Sequence, residues 1–101
     1  MSQIKKVTCH VVSAPVERPF TSSRGWLYKQ RGSCIVEIET ADGIVGWGEC
    51  YGPSQVARAY IESQYAARII GRDAFDVEVI WEDLYNRIKD YGNKGMAISA
   101  L

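Results

Sequence analysis

The dipeptide Asp42-Gly43 stands between two runs that read as strands, and this pairing constrains the fold more than any other feature of the chain. Before it, residues 33–40 alternate, with Cys34, Val36 and Ile38 on one face and Glu37 and Glu39 on the other. After it come Ile44, Val45 and Trp47. An Asp-Gly loop tolerates positive φ at both positions of a type I′ turn, so the two runs are expected to form an antiparallel hairpin. A period of two sets one face of each strand on a core and leaves the other in water.

The same period recurs in residues 4–14, where Val7, Cys9 and Val11 alternate with Lys6, Thr8 and His10. Pro15 is expected to end that strand. Residues 16–31 then carry Pro19, Gly25, four basic residues and the rings of Phe20, Trp26 and Tyr28 without a sustained period, which predicts a long loop. Gly46, Gly48, Gly52 and Pro53 break the exit from the hairpin. Ser54 is positioned to cap a helix on which Val56, Tyr60, Ser63, Ala67 and Ile70 fall three or four apart, with Gly71 as its stop.

A second helix is written more fully. Asp76 caps it, Phe75 and Ile80 form a staple, and Val77, Ile80, Trp81, Leu84, Tyr85 and Ile88 make an apolar stripe ending near Gly92. Glu78 and Lys89 complement its dipole. Met96, Ala97, Ile98, Ala100 and Leu101 read as a third helix that stops in mid-stripe, so the chain is expected to be a piece of a longer one, with Met96, Ile98 and Leu101 bare when it stands alone. Strands followed by helices predict one α+β domain over residues 1–101, a small antiparallel sheet covered on one face, with the stripe of the second helix as the main cover.

With 101 residues there is room for one domain at most. A hydrophobic share of 47% against 24% charged excludes a disordered chain. Twelve Lys and Arg balance twelve Asp and Glu, so no field steers the chain to nucleic acid or to an anionic membrane. Cys9, Cys34 and Cys50 are odd in number and unpaired in spacing, which predicts neither a disulfide framework nor a zinc site, and a reducing, cytoplasmic setting. The first residues lack the apolar run of a signal peptide, and no stretch approaches the ~20 apolar residues of a membrane span.

The chemistry-bearing residues are sparse. His10 lies within a strand with no motif tying it to a nucleophile, and Glu37 and Glu39 belong to a solvated sheet face. Asp73, Asp76, Asp83 and Asp90 are scattered over helical positions that caps and exposed faces explain. Gly46, Gly48 and Gly52 match no phosphate-binding spacing, and Glu49 among them would repel a phosphate. No catalytic residue and no metal ligand is therefore assigned. What stands out is the loop from Arg18 to Arg31, whose rings and cations in a long segment suggest a lid.

These parts, in this order, resemble a family. The run Gly-Ile-Val-Gly-Trp-Gly-Glu-Cys at residues 43–50, directly after Thr40-Ala41-Asp42, resembles the hairpin exit of the mandelate racemase and muconate lactonizing enzyme branch of the enolase superfamily. Arg18-Pro19-Phe20 resembles the opening of its first capping loop, and Lys94-Gly95-Met96-Ala97-Ile98-Ser99-Ala100-Leu101 the helix leading into its barrel. The resemblance covers essentially the whole chain. It implies an N-terminal capping domain, a three-stranded antiparallel meander followed by helices, closing a (β/α) barrel absent from this sequence.

In that family a magnesium ion on the barrel's carboxylates stabilises the enediolate formed when a proton α to a carboxylate is removed. The segment alone is thus expected to be catalytically silent, with magnesium held by the barrel. The capping loops select substrate, and by position they are residues 20–31 and 49–54. Trp26 and Tyr28 are expected as apolar walls beside Phe20, Arg24 and Lys29 as carboxylate or hydroxyl contacts, and Tyr51 as a contact from the second loop. A basic rim suits a polyhydroxylated acid anion, pointing to an acid-sugar dehydratase ahead of a racemase, epimerase or cycloisomerase. The implied partners are the chain's own C-terminal barrel domain, a small carboxylate substrate and further copies in a homo-oligomer. The competing expectation is a self-contained binding or dimerisation module that ends naturally at Leu101.

Overall fold

The computed structural model describes residues 2–21, 23, 25, 27–88 and 97–101, with backbone only at Tyr28 and Ile88. Three strands, β1 (Ile4–Thr21), β2 (Leu27–Thr40) and β3 (Val45–Cys50), form an antiparallel meander in the order β1-β2-β3. Helical segments follow it: α1 (Ser54–Tyr60), a π-helical turn (Ile61–Tyr65), α2 (Ala66–Ile69) and α3 (Val77–Ile88). This is the expected α+β architecture. Among the described residues no helix is long and apolar enough to cross a membrane.

The alternation in the sequence maps onto the two sheet faces. Val7, Cys9 and Val11 on β1 pair with Ile38, Val36 and Cys34 on β2, and these with Gly46, Gly48 and Cys50 on β3. Directly paired residues share a face, so this row lies inward, with Cys34, Val36 and Cys50 buried. The hairpin between β2 and β3 forms, but not with the expected turn. Gly43 has φ of 86° and Asp42 is not in the positive-φ region. The loop is the three residues 41–43, closed by Thr40, whose N–H donates to the Ile44 carbonyl at 2.9 Å while its Oγ1 accepts from the Ile44 N–H at 3.1 Å. Gly43 thus fills the left-handed position that ends a three-residue loop.

The expected loop over residues 16–31 is for the most part strand. β1 continues through Pro15 and Pro19 to Thr21, and β2 begins at Leu27, so the two strands run on as a ribbon past the end of β3. Proline is tolerated there because β1 is an edge strand. The register slips between Pro15, paired with Gln30, and Phe20, paired with Tyr28. The described residues span 48 × 32 × 19 Å, with a radius of gyration of 15.4 Å against the ~13 Å of a round chain this long.

The first helical segment covers the sheet, with α1 lying across β1 and β2. Its start is Pro53, whose carbonyl accepts from the Ala57 N–H at 3.0 Å, so Ser54 is the first helical residue and not the cap. The buried face is Ala57, Ile61, Tyr65 and Ile69, while Val56 and Ile70 of the expected stripe are half exposed. Steps of four overshoot an α-helical turn by about 40° each, which would carry this row off the sheet. The π turn is wider, and it swings the row back. Gly71, at φ of 91°, ends the segment as expected and pairs with the Ile4 carbonyl at 2.7 Å.

The stripe of α3 is not the main cover. Leu84 is buried, but Val77 is exposed and Trp81 is 48% exposed, stacked on Tyr85 with centroids 5.0 Å apart. A cavity of about 530 Å³ lies between this stripe and the sheet residues Val36 and Ile38. Phe75 is 81% exposed, so the expected staple stays open. The expected third helix is replaced over residues 97–100 by a turn in which Ala97 has φ of 71°. Ile98 there is only 4% exposed and Leu101 half-buried, against the expectation that both would be bare. The turn seats against Gly48, where any side chain would collide with the Ala100 carbonyl. Lys89, Asp90, Gly92 and residues 94–96 of the sequence reading lie outside the described residues.

Candidate functional site

The free end of the ribbon and the loop after β3 lie at the same end of the sheet, opposite the turn at residues 41–43. Phe20 and Tyr28 are cross-strand partners, so the structure brings these two expected site residues into register. Lys29 is exposed on β2 next to them. Arg24 and Trp26, and the side chain of Tyr28, lie outside the described residues. Tyr51 directly follows β3 and is 96% exposed. Its neighbour Cys50 pairs with Cys34, six residues along β2 from Tyr28, or about 20 Å at strand rise. Tyr51 is therefore not brought to the ribbon tip within this segment.

One cation of the expected loop that the sequence reading did not name as a contact joins this candidate site. The Arg31 guanidinium lies over the Phe20 ring, 5.0 Å from its centroid. The contact crosses the register slip, and only the number of residues bulged out of β1 reveals it. A ring capped by a cation on an exposed ribbon can meet an anion or hydroxyl groups, but it has no means of moving a proton.

Other titratable groups are engaged elsewhere. His10 Nε2 lies 2.9 Å from Glu37 Oε1, and its ring lies 5.9 Å from that of Trp47, a cross-strand cluster on the outer face. Ser33 Oγ donates to Glu49 Oε2 at 2.8 Å, and Lys5 pairs with Glu39 at 3.3 Å on the same face. The three cysteines gather under the helices as free thiols. Burial, followed by the Cys34 neighbour, pushes Cys9 up to about 12 and Cys50 up to about 11. Both are poor nucleophiles at neutral pH. Among the described residues no group of three or more His, Cys, Asp or Glu could hold a metal ion.

The fold and sequence together match known proteins. Residues 6–101 match the mandelate racemase / muconate lactonizing enzyme N-terminal domain. The chain is 37% identical over 99 residues to a D-galactarolactone cycloisomerase from Agrobacterium fabrum, covering 98% of this chain and 26% of that enzyme. It is 37% identical over 71 residues to an L-rhamnonate dehydratase from Saccharopolyspora erythraea, 69% of this chain and 18% of that one. The solved structure of the 3,6-anhydro-D-galactonate cycloisomerase from Zobellia galactanivorans superposes with a TM-score of 0.77 at 33% identity, over 95% of this chain and 24% of that one. The chain thus spans about a quarter or less of these three proteins. With a meander, a helical cover and a projecting ribbon matched over nearly its full length, the chain belongs to the mandelate racemase / muconate lactonizing enzyme family, as its N-terminal capping domain.

Proposed function

We propose that this segment is the substrate-covering domain of an enzyme that removes a proton α to the carboxylate of an acid sugar, with dehydration as the reaction. The observation that carries this reading is the exposed ribbon tip, where the Arg31 guanidinium lies over the Phe20 ring and Lys29 is exposed alongside. Two relatives support the substrate class, since their names specify a sugar lactone and a sugar acid. The cycloisomerase likeness, 37% over 98% of this chain, favours lactone isomerisation as the second reading.

The segment's own part is to bind, orient and exclude water. Arg24 and Lys29 offer donors to the carboxylate or hydroxyls, Phe20, Trp26 and Tyr28 supply apolar wall, and Tyr51 is a separate contact from the loop after β3. Among the described residues no three His, Cys, Asp or Glu side chains gather as magnesium ligands would. Magnesium, and the acid and base groups, belong in this proposal to a barrel domain of the longer protein, in a homo-oligomer of the cytoplasm.

The test is turnover by the full-length protein, with magnesium, of a panel of acid sugars, their lactones, dipeptides and aromatic acids. Product mass separates the readings: loss of one water marks dehydration, and an unchanged mass marks isomerisation. Turnover confined to dipeptides or aromatic acids overturns the acid-sugar assignment.

A further inference from the structure

The ribbon is interrupted at one defined place. Between Pro15 and Phe20, β1 advances five residues while β2 recedes by two, so the tip is offset from the rest of the strand pair. Pro15 and Pro19 bracket this slip, and neither has an N–H to donate across it. Beyond the slip only two register pairs are formed, Phe20 with Tyr28 and Thr21 with Leu27. Two pairs of an exposed ribbon have little stability of their own, so the angle of the tip depends on side chains that reach over the slip.

Arg31 does reach over it. It sits on the near side, paired with Ala14, while Phe20 sits on the far side, and the guanidinium lies 5.0 Å from the Phe20 ring centroid. A guanidinium over a ring face is a cation–π contact, and here it ties the far side of the slip to the near side. We propose that Arg31 is a positioning residue that latches the ribbon tip through Phe20 and so sets how the tip meets the substrate. This rests on the functional reading above for its effect on catalysis, but not for its effect on the tip itself.

The test is a double-mutant cycle in the full-length enzyme, read by kinetics with the best acid-sugar substrate and by amide hydrogen exchange of residues 20–28. Arg31→Met keeps the stem and removes the charge. It is expected to raise KM about two- to fivefold, the worth of one exposed cation–π contact, with kcat and Tm unchanged. Exchange over residues 20–28 is expected to speed up in Arg31→Met, and Arg31→Lys to restore part of both effects. In a Phe20→Leu background Arg31→Met should add nothing. An equal KM penalty in both backgrounds, or tip exchange unmoved by Arg31→Met, overturns the latch. If the wild-type enzyme turns over no acid sugar, the functional reading fails, while the exchange comparison still decides the latch.

Discussion

The two halves of the β1–β2 ribbon are built from the same pair of strands and meet opposite conditions. From Ile4 to Val11, β1 is backed by β2, and β2 in turn by β3 and the helices, with Cys34, Val36, Ile61 and Tyr65 fully buried. Past Pro15 the ribbon has no third strand, and Phe20 and Leu27 stay 41% and 53% exposed. The first half has a core to hold its register. The second has the slip, two prolines and an arginine over the Phe20 ring. Burial is thus divided along one pair of strands: the packed half fixes the platform, and the projecting half is the part to which the proposed function assigns substrate contact.

The division is broken most sharply by cutting the core. Ile61 is buried at the π turn and faces the sheet, so Ile61→Ala removes well-packed methyl groups and leaves a cavity. The expected loss is about 2–5 kcal/mol, read as a lowered Tm of the full-length enzyme, with KM of the surviving folded fraction unchanged. A changed KM at normal Tm would show that the helical cover reaches the site, and the two halves would not be separate.

At the tip the opposite split is expected. Trp26→Ala and Tyr28→Ala should each lower kcat/KM on the order of tenfold, the scale of a lost orienting contact, while shifting Tm little. Tyr28 has its backbone in register with Phe20 and lies beyond the third strand. A loss of Tm comparable to that of Ile61→Ala would make these rings core anchors instead.

The same division explains what the sequence disclosed. The alternation of Cys34, Val36 and Ile38 against Glu37 and Glu39 was legible because one face is buried, and burial is what writes a period of two. The ribbon beyond Pro15 has no buried face, so nothing in residues 16–21 alternates, and proline on an edge strand reads as a stop. The helical row Ala57, Ile61, Tyr65 and Ile69 was hidden by the π turn, since a spacing of four matches no straight α-helix over that length. Ala97 and Ile98 were apolar because they are buried, and a stretch of six residues holds too few turns to tell a helix from a tight turn. For the site, the rings and cations were visible as composition, and the pairing of Phe20 with Tyr28 and Arg31 followed only from the register.

The smallest expected effect tests how the packed half is closed on its far side. Arg68, on α2, donates from Nε to Asp83 Oδ2 at 2.9 Å and from Nη2 to Oδ1 at 2.7 Å, tying α2 to α3, while Arg72 Nη1 lies 3.9 Å away. These hydrogen bonds from Arg68, with the charges of both arginines, hold the Asp83 carboxyl below its ordinary value of 3.8. A carboxyl with a lowered folded-state pKa stabilises the fold fully above its unfolded value, and the contribution is lost as pH falls through the lowered one. The wild-type protein should therefore exceed Asp83→Asn in Tm at pH 7 by a small margin, because the pair is partly solvated, and the margin should close only below the ordinary carboxylate range. KM should be the same in both at neutral pH, since α3 lies on the packed half. No margin at pH 7 would show that the Arg68–Asp83 pair adds nothing to the fold, and the far side would then be held by packing of Leu84 alone.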